Sequence, residues 1–286
     1  DLAPFYGEDW WFLGSYGFAH QGTGRFAEAL KLAEQALALR PDISQAAHTI
    51  AHVYYETDAH TAGVRFIADW LAAQAGLTAQ DGHLTWHQAL HELALGHEQA
   101  AIALYEQTLV PTTSQSPTAL PDSASFLWRW GLYGLGDGAP AWAPVVALAD
   151  RLAQKPGMAF VDAHAALAYA GAGEWAAMTQ LLDGLQALTA GGNALVAEVV
   201  LPLVEGVAAF GHGDYATAVQ RLAPIAEQIV RIGGSHAQRE VFEDTLIVAQ
   251  LRAGQSENAA ARLRQRLEHR HSTRDTSWLA QTQSKR

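Results

Sequence analysis

Histidine carries most of the chemistry this chain can offer, with 13 copies in 286 residues. In AAHTIAHVYYE, His48, His52 and Glu56 recur every fourth residue, which lines them along one stripe of a helix. In HLTWHQALHELALGH, His83, His87 and His91 share a face in the same way, with Trp86 beside them. Imidazole titrates near neutrality and in its neutral form is a common metal ligand, so three chemistries compete. Each ring could simply hydrogen-bond a carbonyl or carboxylate inside the packing, as buried polar groups must. Independent packing needs would not, however, favour a repeated i, i+4 spacing. A second reading makes His48, His52, His83 and His87 ligands of zinc, iron or nickel, with Glu56 or Asp162 as a further ligand or supporting partner. The spacing permits a divalent metal without selecting it, because no HExxH is present. A third pairs histidine with carboxylate in an apolar-walled groove to move protons, with His52, His87 and Glu56 as catalytic candidates. No GxSxG, phosphate loop or GxGxxG accompanies them, so no enzyme class is named.

Further candidates lie downstream. VDAHAALAYA supplies Asp162 and His164, and GGSHAQREVFED supplies His236, Arg239 and Glu240 at a helix start. There Gly233 and Gly234 allow a sharp turn, and Ser235 is placed to cap a helix whose free N–H groups attract a carboxylate or phosphate. Arg129 in SFLWRWGLYG is an isolated cation in apolar surroundings, for which Asp122 or a groove carboxylate is the expected partner. Trp10, Trp11, Trp128 and Trp130 read as core rather than as a ligand cage. Glu198 and Glu205 share a face on a helix that Pro202 should bend, and read as a solvated stripe.

These residues need helices to hold them, and the helices come in pairs. WWFLGSYGFAHQGTGRFAEALKLAEQALALRPD shows two apolar-periodic stretches around Gly22 to Arg25, with small Ala29 and Ala36 where helices touch and Pro41 as a stop. A second pair spans Ile43 to Gln74 with its turn at Asp58 and Ala59, and a middle one spans Ser123 to Gln154 with a break at Gly134 to Pro140. Turns recur at Gly96, Gly173, Gly213 and Gly254. The result is an all-α reading: a tetratricopeptide-like α-solenoid superhelix of about seven degenerate hairpins, each longer than the roughly 34 residues of that class. First helices of successive pairs should stack, bringing the His48 and His83 stripes together on a concave wall, joined by His164 and His236. Val110 to Asp122 and Ala190 to Asn193 read as loops. One repeat domain over 1–286 is expected, its tail from about 271 mobile or docked through Trp278.

Composition removes whole classes of function. The chain is 49% hydrophobic and 16% charged, so it folds. A net charge of −11 disfavours nucleic acid and anionic membrane. Absence of cysteine excludes thiolate metal sites and fits a reducing, cytoplasmic compartment. No long apolar run suggests a membrane span, and DLAPFYGEDWWF lacks the pattern of a signal peptide.

The segments AAHTIAHVYYE, HLTWHQALHELALG, SFLWRWGLYG, DAHAALAYAGAG, AFGHGDYATAV and IGGSHAQREVFEDTLIVAQLRAG together resemble the tetratricopeptide repeat protein 38-like family, over about Phe5 to Arg270. The resemblance implies a helical repeat fold, and motif positions at His48, His52, His83, Trp86, His87, Arg129, Asp162, His164, His236, Gln238 and Arg239. It implies no established activity. Members of that family carry additional residues ahead of this point, and a glutamate where this chain has Tyr55, with Glu56 following. The combined expectation is a histidine-rich pocket that takes a small polar or anionic ligand, through His48, His52, Glu56, His83, Trp86, His87, Arg129, Asp162, His164, His236 and Arg239. Alternatives are a scaffold that takes a partner protein in its groove, and a metal-dependent or acid–base enzyme.

Overall fold

Asp9 starts the first long helix: its carboxylate accepts from the Phe12 N–H at 2.8 Å, satisfying a donor the helix itself cannot reach. The computed structural model of the chain describes residues 3–74, 79–110, 116, 118–135 and 141–283. Their regular structure is all helical, with no strand among the described residues. The chain divides into two compact units, residues 1–108 with 270–272, and residues 109–269 with 273–286.

The first unit holds α1 (Ala3–Tyr6), α2 (Trp10–Gln21), α3 (Phe26–Leu39), α4 (Ser44–Glu56), α5 (His60–Ala72), α6 (Ala79–Ala94) and α7 (Glu98–Leu104), followed by a π-helical turn at Tyr105–Leu109. Each helix from α2 to α7 packs on the next, and α2, α4 and α6 also pack on one another in a row. Close approach comes from missing side chains. A Cβ at Gly17 of α2 would stand 3.2 Å from the Ala29 carbonyl of α3, and Ala29, Ala33 and Ala36 are wholly buried. The turn between α4 and α5 falls at Asp58, whose φ of +59° is a conformation aspartate tolerates better than most residues. Leu13, Leu32, Ile43 and Ile50 make one core cluster, and Ala47, Ala51, Ile67 and Leu84 the next.

The second unit runs through α8 (Ala119–Leu132), α9 (Ala143–Leu152), α10 (Ala159–Ala172), α11 (Trp175–Ala190), a π-helical turn at Val196–Val200, α12 (Leu201–Gly211) and α13 (Tyr215–Leu222). A 3-10 helix (Ala223–Ile232), α14 (His236–Arg252), α15 (Ser256–His269) and α16 (Thr273–Gln283) complete it. The sequence placed Ala119 to Asp122 in a loop. They form the first turn of α8 instead, a position where Pro121 lacks an N–H that has no partner inside the helix anyway. Pro202 lies two residues past the end of the π-helical turn, where its missing N–H breaks the regular ladder. Residues 111–115, 117 and 136–140 of the expected loops lie outside the described residues. Here the inner helices do not form an open row: α8 packs on α10, α10 on α12, α12 on α14, and α14 back on α8. Trp278 of α16 is buried, against the Tyr133 ring at 5.8 Å. Among the described residues, no helix is long and apolar enough to cross a membrane.

Candidate functional site

Because α4 and α6 are neighbours in the α2–α4–α6 row, the stripe on one meets the stripe on the other. His48 and His52 from α4 face His83 and His87 from α6, and one ring nitrogen from each lies within 4.8 Å of the others. His48 is the hub. Its Nε2 stands 2.9 Å from His52 Nε2, 3.0 Å from His83 Nε2 and 3.1 Å from His87 Nε2. His52 and His87 are 0% exposed, whereas His48 and His83 are half-buried.

Aromatic rings frame the four. Phe18 of α2 stacks on His48 at 5.5 Å and meets His52 edge-on at 6.1 Å. Trp86 stacks on His83 at 5.3 Å and meets His87 edge-on at 4.8 Å. Two of the imidazoles, His48 and His87, are held in their neutral form. Burial pushes His48 well below its usual pKa, with His52 and His83 adding to the effect. Burial does the same to His87, helped by His52, His83, His48 and His91.

An imidazole Nε2 carries either one proton or one lone pair, so His48 Nε2 can complete at most one hydrogen bond with three nitrogens that surround it. The remaining contacts have no satisfaction from protons alone. A cation bound there would accept lone pairs from all four rings at once. Nitrogens about 2.1 Å from a shared tetrahedral ion stand about 3.4 Å apart, which falls between the 2.9 to 3.1 Å of the His48 contacts and the 4.8 Å within which all four nitrogens lie.

Two histidines near this cluster do something else. His91, one turn beyond His87, turns its Nδ1 to His60 Nδ1 at 2.9 Å on α5, and His60 Nε2 lies 3.3 Å from Asp58 Oδ1. Asp58 Oδ2 in turn holds His271 at 2.9 Å. Burial and then His60 push His91 down to about 3, against a raising contribution from the Ala51 carbonyl. His60 was missed in the sequence because it begins a helix and shares no stripe with the others. Gly63 is the overlooked signal: a Cβ there would stand 2.4 Å from the His91 ring, so this glycine makes the room the imidazole fills.

The other expected site residues are placed as follows. Glu56, last on its stripe, lies 3.9 Å from Arg270 and stands outside the four-nitrogen group. The remainder belong to the second unit. Arg129 is wholly buried, donates to the Ala237 carbonyl at 2.6 Å and lies 3.9 Å from the carboxylate of Asp244. Asp162 accepts from the Gly157 N–H at 2.8 Å, and burial raises its pKa to about 6 against that hydrogen bond. His164 is buried between Phe160 and Phe242 with Nδ1 on the Phe160 carbonyl at 2.7 Å, and burial lowers it to about 4. His236 is exposed at the start of α14. Ser235 caps that helix by accepting from the Gln238 N–H, while the Gln238 side chain accepts from the Ser235 N–H at 2.9 Å. Arg239 folds back onto the carbonyls of Gly233 and Gly234. The helix start is thus occupied by its own side chains.

The tryptophans divide as their burial dictates. Trp128 and Trp130 are core, Trp128 donating to Thr245 at 2.9 Å. Trp11 is exposed, and Trp10 lies under the Arg40 guanidinium at 4.3 Å. Glu198 and Glu205 take Arg231 at 2.7 Å and Arg221 at 3.3 Å. No family model matches the chain.

Proposed function

We propose that the protein binds one late first-row divalent metal ion, such as zinc, nickel or copper, through His48, His52, His83 and His87. The observation that carries this is the position of His48 Nε2, 2.9 to 3.1 Å from three other ring nitrogens with protons enough for one of those contacts. Four neutral imidazoles with no thiolate suit these ions and serve magnesium and calcium poorly. The helices around the site we read as degenerate tetratricopeptide-like hairpins, in keeping with the resemblance to the tetratricopeptide repeat protein 38-like family. Paired helices joined at glycines of positive φ, Gly24 and Gly96, support that reading.

The test is metal analysis of the purified protein after equilibration with each ion. One equivalent of zinc, nickel or copper, lost on replacing both His52 and His87 by alanine, is the expected result. A protein that takes up no stoichiometric metal, and whose thermal stability ignores chelator, would sink the proposal.

A further inference from the structure

Helix α2 has the composition of an inner helix. From Trp10 to Gln21 it carries no Asp, Glu, Lys or Arg, a pattern that suits a helix covered on every side. Its neighbours cover part of it: α3 packs on the Leu13 and Gly17 side and α4 on the Gly14 side. The opposite face, with Trp11, Ser15, Ala19 and Gly22 at helical spacing, meets water. Trp11 is 59% exposed, and Tyr6 stacks on Phe12 at 4.8 Å, which lays α1 against α2 and adds Phe5, 83% exposed. By contrast α3 meets water with Glu28, Lys31, Glu34 and Gln35. An exposed apolar face of this kind marks an interaction surface.

Gly22 shows what shape that surface takes. Its φ of −61° is open to any residue, and an added Cβ would come no nearer than 3.7 Å to a non-neighbouring atom. The fold itself has no need of a glycine there, whereas a bare spot beside Ala19 is a seat for a large ring. The stripe is thus bulky at its start and small at its end, which an antiparallel copy of the same stripe complements. A register that seats Trp11 on Gly22 of a second copy also sets Glu8, three residues ahead of Trp11, across from Arg25 of that copy, three residues beyond Gly22. Glu8 and Arg25 are both exposed and opposite in charge, and antiparallel helices further oppose their positive and negative ends.

We propose that the outer face of α2 binds a second copy of this chain, α2 against α2 and antiparallel, about a two-fold axis. Twelve residues make a contact only about 18 Å long, below the standard interface size, so the dimer is reversible, with a dissociation constant on the order of micromolar.

Sedimentation velocity of the full chain from about 1 to 200 µM should show a concentration-dependent monomer–dimer equilibrium. Trp11→Glu and Gly22→Arg, both at exposed positions, should keep native helix content and melting temperature while raising the dissociation constant about a hundredfold. Glu8→Arg or Arg25→Glu alone should raise it about threefold, and the two together on one chain should restore it. Glu8 and Arg25 stand beyond opposite ends of α2, so that recovery reports a contact between copies. A chain that stays monomeric throughout, or folded Trp11→Glu and Gly22→Arg variants that dimerise like the native chain, would overturn the proposal. Dimerisation without recovery in the double reversal would overturn the antiparallel register.

Discussion

The two units bury polar groups by opposite means. In the second, Arg266 of α15 meets Asp244 at 2.7 Å, Glu240 and Asp275 at 2.9 Å, and Glu243 at 3.7 Å. Burial works against its charge, yet those four carboxylates hold the guanidinium well above its usual pKa. Tyr133 donates to the same Asp244 at 2.9 Å, and Arg129 lies 3.9 Å away. Positive and negative groups are paired with one another there. In the first unit, four like groups converge, with His48 Nε2 within 3.1 Å of three other ring nitrogens. A buried cluster of opposite charges is a structural joint, whereas a cluster of lone-pair donors is the arrangement that a metal ion, as proposed above, would bind.

The largest effect that sharpens this contrast should come from Arg266→Ala. It strands four carboxylates, three of them nearly inaccessible, and should cost about 3–5 kcal/mol in denaturant unfolding. His48→Ala in metal-free protein should cost far less, because it removes the hub of contacts that protons cannot satisfy. Equal losses for the two would break the comparison. Next, zinc at a hundredfold its dissociation constant should stabilise the native protein by about 2.7 kcal/mol in thermal unfolding. That gain should vanish in His52→Ala, while Arg129→Met should keep it.

Gly63→Ala should cost about 1–3 kcal/mol, because the added carbon meets the buried His91 ring at 2.4 Å. Adding His91→Ala to that variant should recover much of the loss, and strict additivity of the two changes would argue against direct overlap.

The smallest effect is a pH dependence. His91 has a folded pKa of about 3, so between about 3 and its ordinary 6.5 the unfolded chain binds a proton the native state refuses. Stability is whole above 6.5 and falls as pH drops through that window. His164, at about 4, acts in the same direction in the second unit. Asp162 opposes it there: its pKa is raised from 3.8 to about 6, so in that interval the native state holds the extra proton and gains as pH falls. Amide exchange between pH 6.5 and 4 should therefore show α4 and α6 losing protection before α10. The reverse order would contradict this reading.

Much of the geometry was legible in advance, for reasons that differ by residue. His48 and His52, or His83 and His87, are related by helix pitch alone, so their shared face followed from spacing. That the two pairs meet needed only neighbouring α4 and α6, which short turns at glycine or Asp58 make natural. Trp278 stood out as a lone large apolar side chain in a polar tail and is buried. The Arg266 network was not legible, because its partners are drawn from α14 and α16 and no local pattern links Glu240, Asp244 and Asp275. Nor was the His60–His91 contact, which joins α5 to α6 through the gap at Gly63.

Periodicity and turn chemistry are local, acting over a few residues of backbone, so the order of helices and the stripe each one carries were decided by the amino-acid sequence itself. Which nitrogen faces which, and whether a buried charge finds its opposite, depend on side chains that come together only when helices pack. Only the folded protein decided that four imidazoles in one unit converge on one another while the arginines of the other close on carboxylates.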